Sequence, residues 1–494
     1  MLRRGDLRGL VSSMLFNSYA FIFAFLPAVL VGLYLLVWLG WMRAAVWWIG
    51  LASLTFYGLG DVRFLALLIA SIIVNYLIGG RIVAAAASST GSDGSGARRK
   101  RRWVATGITA NLLTLGFFKY TNFFLSNVTS ATGWHIPAAQ IVLPIGISFF
   151  TFTQIAFLVD CGRGEGHRYR FWDYLLFVSF FPHLVAGPIL NHKSILPQVE
   201  SSRFGAPDSH SVYAAMIFFS IGLFKKVIIA DSLSPQVQLL FHNAAGLNFV
   251  EAWAGALLYT FQLYYDFSGY SEMAVGLALL INVEIPINFN SPYKSTSIIE
   301  FWRRWHISLS SFLRDYLYIP LGGNRRGPVR RYANLLMTMV LGGLWHGAGW
   351  TFLAWGTLHG AGLALNHLWR STGLRLPIVA AWPLTFVFVV VAWVFFRSPD
   401  IGTALTMLTA MSGLHGVPAM ASLTSGAAFA SQWLTLSSLA WIGGLAIWGA
   451  IAPNTQEVAF SEQPHPAFAM ACALLFSASV MGLDQASEFL YFQF

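Results

Sequence analysis

Charged residues are scarce in this chain. Only 10% of its 494 residues are Asp, Glu, Lys or Arg, whereas 56% are hydrophobic and the mean hydropathy is +0.62. Soluble globular domains carry about 25% charged residues, so this deficit excludes an ordinary soluble protein. Apolar runs of roughly 18 residues or more, each long enough to cross a bilayer core, recur along the chain. The composition therefore predicts an all-α polytopic membrane protein.

Cysteine is almost absent. Cys161 and Cys472 are the only two, and neither has the spacing of a thiolate metal site or a redox pair. We therefore expect no disulfide framework and no bound metal, while a Cys–His catalytic pair stays open as a minor alternative. Acidic residues are fewer than basic ones, 20 against 30, which gives a formal net charge of +10. In a membrane chain we assign this excess to cytoplasmic loops facing anionic lipid, and not to nucleic acid.

The apolar segments predict a bundle of about 11–14 membrane segments, each near the length of a bilayer core. No soluble domain, coiled coil or sequence repeat interrupts them. The candidate segments are residues 19–40, 43–60, 62–80, 103–125, 140–160, 172–190, 210–230, 250–283, 331–347, 349–369, 376–396, 432–452 and 466–483.

Two basic clusters constrain the membrane topology. The first, Arg98–Arg102, closes a Gly/Ser-rich linker, "ASSTGSDGSGARRKRR". The second consists of Arg325, Arg326, Arg330 and Arg331. Because the positive-inside tendency places both in the cytoplasm, an even number of crossings must separate them. Five candidate segments lie between them, and residues 250–283 would extend ~50 Å as one helix. We therefore predict a break in that segment near Ser268 and Gly269.

The N-terminus conflicts with this topology. Three crossings precede Arg98 and would place the start of the chain outside, although Arg3, Arg4 and Arg8 favour the cytoplasm. One resolution is that translation starts at Met14, immediately before "LFNSYAFIFAF". Residues 1–13 would then be an N-terminal extension that is not translated.

Residues 297–327, "SIIEFWRRWHISLSSFLRDYLYIPLGGNRRG", concentrate polar and aromatic side chains. Ser297 and Glu300 have the form of a capping box, and the apolar residues that follow recur at helical spacing. The pattern predicts one amphipathic helix in the membrane interface, ended by Pro320. His306 falls at the edge of its apolar stripe, where it could point into the protein. The arginines of this helix fit lipid phosphates equally well.

A second histidine, His346, lies in the apolar and glycine-rich stretch "LGGLWHGAGW". Ionisable groups at membrane depth are functional-site candidates, and the neighbouring glycines let other backbone or a slender ligand come close. Those glycines are Gly342, Gly343, Gly347 and Gly349. The alternative is a neutral histidine hydrogen-bonded between helices, with the glycines serving helix packing. Hydropathy does not decide between these two interpretations of His346.

Further polar groups at membrane depth, each alone more consistent with a structural role, are Asp266, Tyr265, Tyr270, His359 and His183.

Taken together, these stretches resemble the membrane-bound O-acyltransferase family, and most closely its bacterial polysaccharide branch. The most specific matching blocks are "FWRRWHISLS" and "GGLWHG", supported by "LPIGISFFTF", "FFPHLVAGPI", "GLFKKVIIAD", "YYDFSGYSEMAVG" and the closing "FLYFQF". The resemblance covers residues 14–370, whereas 371–486 match only in hydropathy. It implies a single domain over residues 14–494, in which 371–494 add membrane helices. It also implies a helical bundle with broken and interfacial helices around a central tunnel.

The resemblance maps the family's essential histidine onto His346 and its second catalytic position onto His306. A neutral imidazole is available near pH 7, so we expect His346 to be the general base that accepts a proton from the attacking hydroxyl. A straight helix after Arg331 would place His346 ~22 Å deep, too far from an interfacial His306 for a hydrogen bond. Either the helix of His306 dips inward or His306 serves the donor end.

Two further sets of residues are candidates for binding substrates. The candidates for the phosphates of coenzyme A, for which lipid head groups are an equal alternative, are Arg303, Arg304, Arg325 and Arg326. The candidates for the lining of the substrate tunnel are Asp266, Ser268, Tyr270 and Trp345.

The implied function is acetyl transfer by a multi-pass protein of the bacterial inner membrane. The donor would be cytoplasmic acetyl-CoA, with no permanently bound cofactor, and the acceptor the hydroxyls of an exported polysaccharide such as alginate. Transfer of the acetyl group would run directly or through periplasmic relay or acetyltransferase proteins, beside the complex that makes and exports the polymer.

The nearest alternative function is a D-alanyl or lipid O-acyltransferase of the same family. A transporter or flippase is less favoured, because inverted repeats are expected there and the sequence shows none. A structural partner of a synthase would not require both histidine blocks.

Overall fold

The computed structural model describes residues 14–88, 95–417, 433–460, 466–485 and 489–490. Over these ranges the regular structure is helical, without a strand. In chain order the helices are α1 (Phe21–Trp38), α2 (Met42–Gly60), α3 (Val62–Ala87), α4 (Ser95–Thr132), α5 (Ile147–Arg163), α6 (Phe171–Ser179), α7 (Phe181–Leu184), α8 (His192–Val199), α9 (Ser209–His242), α10 (Phe249–Leu280), α11 (Ile298–Arg304), α12 (Ile307–Leu313), α13 (Gly327–His346), α14 (Trp350–Ser371), α15 (Ile378–Arg397), α16 (Ile401–Met411), α17 (Leu436–Ile451), α18 (Thr455–Ala459) and α19 (Pro466–Met481). Residues 1–13, and with them the predicted extension, lie outside the described residues.

Four of these helices, α1, α3, α9 and α15, are long and apolar enough to cross a membrane. Shorter apolar helices are α16, α17 and α19. The apolar side chains of the long helices are not all packed inside the protein: 28% of the most apolar stretch of α3 is buried. A helix that faces lipid has this property, because hydrocarbon solvates its apolar surface. The prediction of an all-α polytopic membrane protein is confirmed.

The chain divides into two compact units. The first comprises residues up to 222 together with 270–287 and 459–483, and the second comprises 223–269, 288–458 and the residues from 484 onward. In the second unit, a large apolar core includes side chains of α10, α11, α14, α15 and α16. This core surrounds the segment that contains His306. The prediction of one domain over residues 14–494 stays a prediction.

Residues 172–190, predicted as one membrane segment, are not one helix. Helix α6 ends at Ser179, and Phe180 is not helical, with ψ of 107°. The single turn α7 follows, with Pro182 near its start. Proline has no amide hydrogen and fits the first turn of a helix better than its interior. The nine residues of α6 rise only ~14 Å, well short of a bilayer core of about 30 Å.

The predicted break in residues 250–283 is wrong, because α10 runs without interruption from Phe249 to Leu280. Its side chains are buried along almost the whole helix, and Ser268 is completely buried. A single glycine inside a helix costs only about 1 kcal/mol relative to alanine. The apolar burial along this helix outweighs that cost, so Gly269 does not end it.

The basic run Arg98–Arg102 is also helical and not part of a linker. It lies in the first turns of α4, which begins at Ser95. Residues 89–94 of the predicted linker lie outside the described residues. Helix α4 is 38 residues long, so it contains both the basic run and the predicted membrane segment 103–125.

Candidate active site

The helix predicted to run from Ser297 to Pro320 is divided in two at His306. Helix α11 ends at Arg304, and α12 begins at Ile307. His306 between them has a left-handed backbone, with φ of 43° and ψ of 57°. Residues other than glycine rarely adopt positive φ, and such strain concentrates at functional sites. The prediction of one continuous amphipathic helix is wrong at this position.

The predicted start of this segment is confirmed. The Ser297 hydroxyl accepts a hydrogen bond from the Glu300 amide at 3.2 Å and so caps α11. The Glu300 carboxylate accepts from the amide of Thr296 at 2.9 Å, one residue before the position that a capping box predicts. The cap fixes where α11 begins.

The break at His306 is stabilised by hydrogen bonds to a non-helical segment that precedes α11. The Asn290 amide donates to the Arg304 carbonyl at 2.9 Å, and the Ile307 amide donates to the Asn288 carbonyl at 3.0 Å. Asn288 Oδ1 also accepts from the Ser308 amide at 3.2 Å and from the Ser308 hydroxyl at 2.7 Å. These bonds satisfy backbone groups that a continuous helix would have paired internally. Asn288 lies in the stretch "INFNSPY", whose residue pattern does not predict this role.

The break turns the His306 side chain into the protein, where it is completely buried. Its ring lies edge-on to Phe267, with centroids 4.7 Å apart, and 6.4 Å from the ring of His346. Burial lowers the pKa of His306 to about 3, so the imidazole is neutral near pH 7. His306 lies between two seven-residue helices and outside the four helices that are both long and apolar enough to span a membrane. Of the two placements left open by the sequence, the structure has the inward one.

His346 is the last residue of α13 and is 5% exposed. Its ring is packed edge-on against Trp345, Trp355 and Phe396, with centroid distances of 4.9, 5.1 and 5.3 Å. Trp345 also lies 6.3 Å from His306. We call these three rings together with Phe267 the aromatic enclosure. It surrounds both imidazoles with apolar surface and keeps bulk water away from them.

Glycines allow α13 and α14 to pack closely beside this enclosure. A Cβ atom on Gly343 would overlap the Phe352 carbonyl, and one on Gly356 would lie 3.0 Å from the Val340 Cα. A Cβ on Gly347, which follows His346, would overlap the Phe352 ring. Small residues at such contacts are typical of helix pairs in membranes. At Gly343 and Gly347 the geometry favours the packing alternative over close approach of a ligand.

Two other buried histidines have structural hydrogen bonds. His359 Nδ1 accepts from the Trp302 indole at 3.2 Å in the core of the second unit. In the first unit, a ring nitrogen of His183 lies 3.1 Å from the Phe177 carbonyl. Each bond anchors the histidine to its own unit, in agreement with the structural role that the sequence favoured.

Asp266, predicted to line a substrate tunnel, is part of a buried ion-pair network. One carboxylate oxygen accepts from Lys226 Nζ at 2.8 Å, and the other accepts from the Leu490 amide at 3.1 Å. Lys226 also pairs with Asp231 at 2.7 Å. A buried carboxylate needs such partners to offset its lost hydration. The network accounts for Asp266 without a substrate, and its tunnel role stays a prediction.

The other tunnel candidates are buried as well. Ser268 is completely buried on α10. Tyr270 is 2% exposed and stacks on Phe16 within the first unit, with centroids 4.9 Å apart. Trp345 belongs to the aromatic enclosure and is near both histidine rings. Among the four candidates, Trp345 thus has the most direct connection to the histidine pair.

The four candidate arginines differ in their surroundings. Arg304 pairs with Glu300 at 2.9 Å and donates to the Asn290 carbonyl at 3.2 Å. Arg303, Arg325 and Arg326 are exposed. Exposed guanidinium groups suit the phosphates of coenzyme A and of lipids alike, so both interpretations stay open.

Comparison with known proteins adds an independent observation. Residues 102–398, which include both histidines, match the family model of the membrane-bound O-acyltransferases. The chain is 42% identical over 436 residues to the peptidoglycan O-acetyltransferase of Helicobacter pylori, covering 82% of this chain and 81% of that protein. It is 39% identical over 518 aligned positions to a probable alginate O-acetylase of Azotobacter vinelandii, covering 97% and 100%. A teichoic acid D-alanyltransferase of Streptococcus thermophilus is more distant, with 29% identity over 237 residues, 46% of this chain and 57% of that protein.

Proposed function

This chain belongs to the membrane-bound O-acyltransferase family, and from that premise we propose that it acetylates hydroxyls of a bacterial surface polysaccharide. The donor is acetyl-CoA on the cytoplasmic side of the inner membrane. The acceptor is an exported polymer, reached directly or through periplasmic relay or acetyltransferase proteins that work beside the synthesis and export complex.

The observation that carries the proposal is the pair of buried imidazoles. The rings of His306 and His346 lie 6.4 Å apart in the aromatic enclosure. This separation accommodates one hydroxyl oxygen at hydrogen-bond distance, about 2.8 Å, from a nitrogen of each ring. A neutral histidine is the side chain best suited to accept a proton near pH 7. The pair therefore suits an alcohol that must lose a proton as it attacks.

In the proposed reaction, His346 accepts the proton of the acceptor hydroxyl. The hydroxyl oxygen forms a bond to the acetyl carbonyl carbon while the bond from that carbon to the sulfur of coenzyme A breaks. The thiolate leaves and takes up the proton, so the imidazole returns to its neutral form. His306 hydrogen-bonds the reacting oxygen and orients it. The aromatic enclosure limits access of water, which would otherwise hydrolyse the thioester.

The names of the relatives support a sugar hydroxyl as the acceptor. The two acetylating relatives are named for peptidoglycan and alginate, and both polymers present sugar hydroxyls. D-alanyl transfer to teichoic acid is the second candidate. It is less favoured because the D-alanyltransferase relative aligns with only 46% of this chain. We therefore propose acetyl as the acyl group and a sugar hydroxyl as its acceptor.

Substitution of His346 by alanine tests this function. We expect the acetyl esters on surface polysaccharide and peptidoglycan, measured after alkaline release, to fall by roughly 10²–10⁴-fold, the usual contribution of a positioned base. Polymer yield and the amount of protein in the membrane should stay normal. His210→Ala is the matched control, because His210 is exposed and far in the sequence from the enclosure.

Three outcomes would contradict the proposal. Ordinary acetylation by His346→Ala would show that this histidine is not the base. Loss of polymer export with normal esters on the remaining polymer would indicate a transporter. A D-alanyltransferase would instead lose D-alanine esters, which the same alkaline extract reveals.

A further inference from the structure

A basic cavity lies in the first unit between the end of α3 and the start of α4. Its volume is about 680 Å³, and its lining consists of Arg81, Ala84, Ala85, Ser88, Arg99, Arg102, Trp103 and Thr106. The volume is within the range of roughly 300–1,000 Å³ that small-ligand sites occupy. The proposed acetyl transfer assigns no role to these residues.

The cavity is strongly positive. Arg81, Arg99 and Arg102 all line it, and none of the lining residues that the structure describes is acidic. Arg81 lies over the Trp103 ring at 5.4 Å from its centroid, which orients the guanidinium. Within the described part of the chain, no carboxylate is within ion-pair distance of these three arginines. The three positive charges that line this cavity repel one another, and an anion bound between them would offset this repulsion.

The position of the cavity along α3 favours a lipid phosphate as the anion. Helix α3 is one of the four helices able to cross a membrane and begins at Val62. At 1.5 Å per residue, Arg81 lies about 28 Å further along, near the edge of a hydrocarbon core of about 30 Å. Tryptophan is enriched at that level. The arginines are thus at the depth where lipid phosphates lie, and basic pockets between membrane helices bind anionic head groups.

We propose that this cavity binds a phosphate-bearing anion, and that its occupant is the phosphodiester of an anionic phospholipid. Arg99 and Arg102 contact the phosphate oxygens, Arg81 completes the charge, and the hydroxyls of Ser88 and Thr106 hydrogen-bond the head group. The acyl chains of the lipid extend along the apolar surface of α3. This site is separate from the histidine pair and does not depend on the proposed acetyl transfer.

Paired substitutions on one helix test the site. Arg99→Gln with Arg102→Gln removes two cavity arginines, whereas Arg98→Gln with Arg101→Gln removes the same charge from residues that do not line it. The full chain is delipidated in detergent, and binding of phosphatidylglycerol is measured by native mass spectrometry. We expect the cavity pair to weaken binding by roughly 30-fold, as two arginine contacts to a lipid phosphate predict. The control pair should change it little, and phosphatidylcholine should bind weakly throughout.

The same measurement distinguishes the two sources of phosphate. If added coenzyme A or inorganic pyrophosphate does not displace phosphatidylglycerol, the occupant is a lipid. If either displaces it, the cavity is an anion site for a soluble phosphate, and the lipid assignment is overturned. Equal loss of binding in both pairs would show general surface charge, and no loss in the cavity pair would show that the cavity binds no phosphate; either result overturns the site itself.

Discussion

His306 combines three properties that rarely occur together in one residue. Its backbone is left-handed, its side chain is completely buried, and its ring lies near a second buried histidine. A left-handed conformation costs a residue with a Cβ atom roughly 1–2 kcal/mol. The hydrogen bonds of Asn288 to Ile307 and Ser308 stabilise this conformation. The strain therefore has a clear consequence, which is to aim the imidazole at His346.

The backbone of His306 determines which substitutions report on its chemistry. Asparagine tolerates the left-handed region and glycine adopts it freely, so His306→Asn and His306→Gly should both fold. If His306 orients the reacting oxygen, the amide of asparagine should retain part of the acetylation and glycine should abolish it. Ester content and the melting temperature in detergent are the measurements. Equal loss in both variants, as complete as in His346→Ala, would make His306 a proton carrier and contradict the orienting role.

The two histidines became candidates from sequence because a polar residue in an apolar stretch is conspicuous, and the family resemblance implied their catalytic roles. His346 interrupts a glycine-rich membrane segment, and His306 borders an apolar stripe. Their proximity was not predictable. It depends on Asn288, which bonds to residues about 20 positions further along the chain, and helical periodicity contains no information about such pairing.

At the scale of elements, the close packing of α13 on α14 fixes the position of His346. Gly356→Ala would place a Cβ atom 3.0 Å from the Val340 Cα and closer still to the Met339 carbonyl. Overpacking of this kind costs about 1–3 kcal/mol. We therefore expect a lower melting temperature and reduced acetylation, because His346 ends the displaced helix.

A matched control for Gly356→Ala exists in α17. Among the described residues, and apart from its own helix backbone, a Cβ atom on Gly443 would meet no atom within 4 Å. Gly443→Ala should leave stability unchanged or raise it slightly, since alanine favours a helix by about 1 kcal/mol over glycine. Similar losses in both variants would mean that helix propensity, and not packing against α13, explains the effect.

Most helices were predicted, whereas several of their interruptions were not. Hydropathy locates apolar segments because every such segment must avoid water. Continuity depends on tertiary contacts that hydropathy does not report. Gly269 offers a break, yet burial keeps α10 continuous, while His306 lies in a good helical pattern and the extended segment at Asn288 interrupts it.

At the scale of the whole molecule, the interruption after Ser179 changes the topology argument. Five apolar segments were predicted between Arg102 and Arg325, an odd number. Residues 172–190 do not form one helix, and α6 alone is too short to cross. Removing that segment leaves four, which is even, without a break in α10. An even count agrees with both basic clusters facing the cytoplasm, which stays a prediction.

Single cysteines test this topology. Ala97→Cys lies in the first turn of α4, Ala138→Cys follows that helix, and Pro328→Cys lies in the second basic cluster; all three positions are exposed. The parent protein is the unlabelled control, because Cys161 and Cys472 are both buried.

With four crossings between the two basic clusters, a membrane-impermeant maleimide should label Ala97→Cys and Pro328→Cys only in inverted vesicles. It should label Ala138→Cys only in intact spheroplasts, because the predicted membrane segment 103–125 would cross once between positions 97 and 138. Labelling of Ala97→Cys and Pro328→Cys from opposite sides would require an odd number of crossings. One of the four remaining segments would then have to lie in the membrane without traversing it, or α6 and α7 would have to cross together.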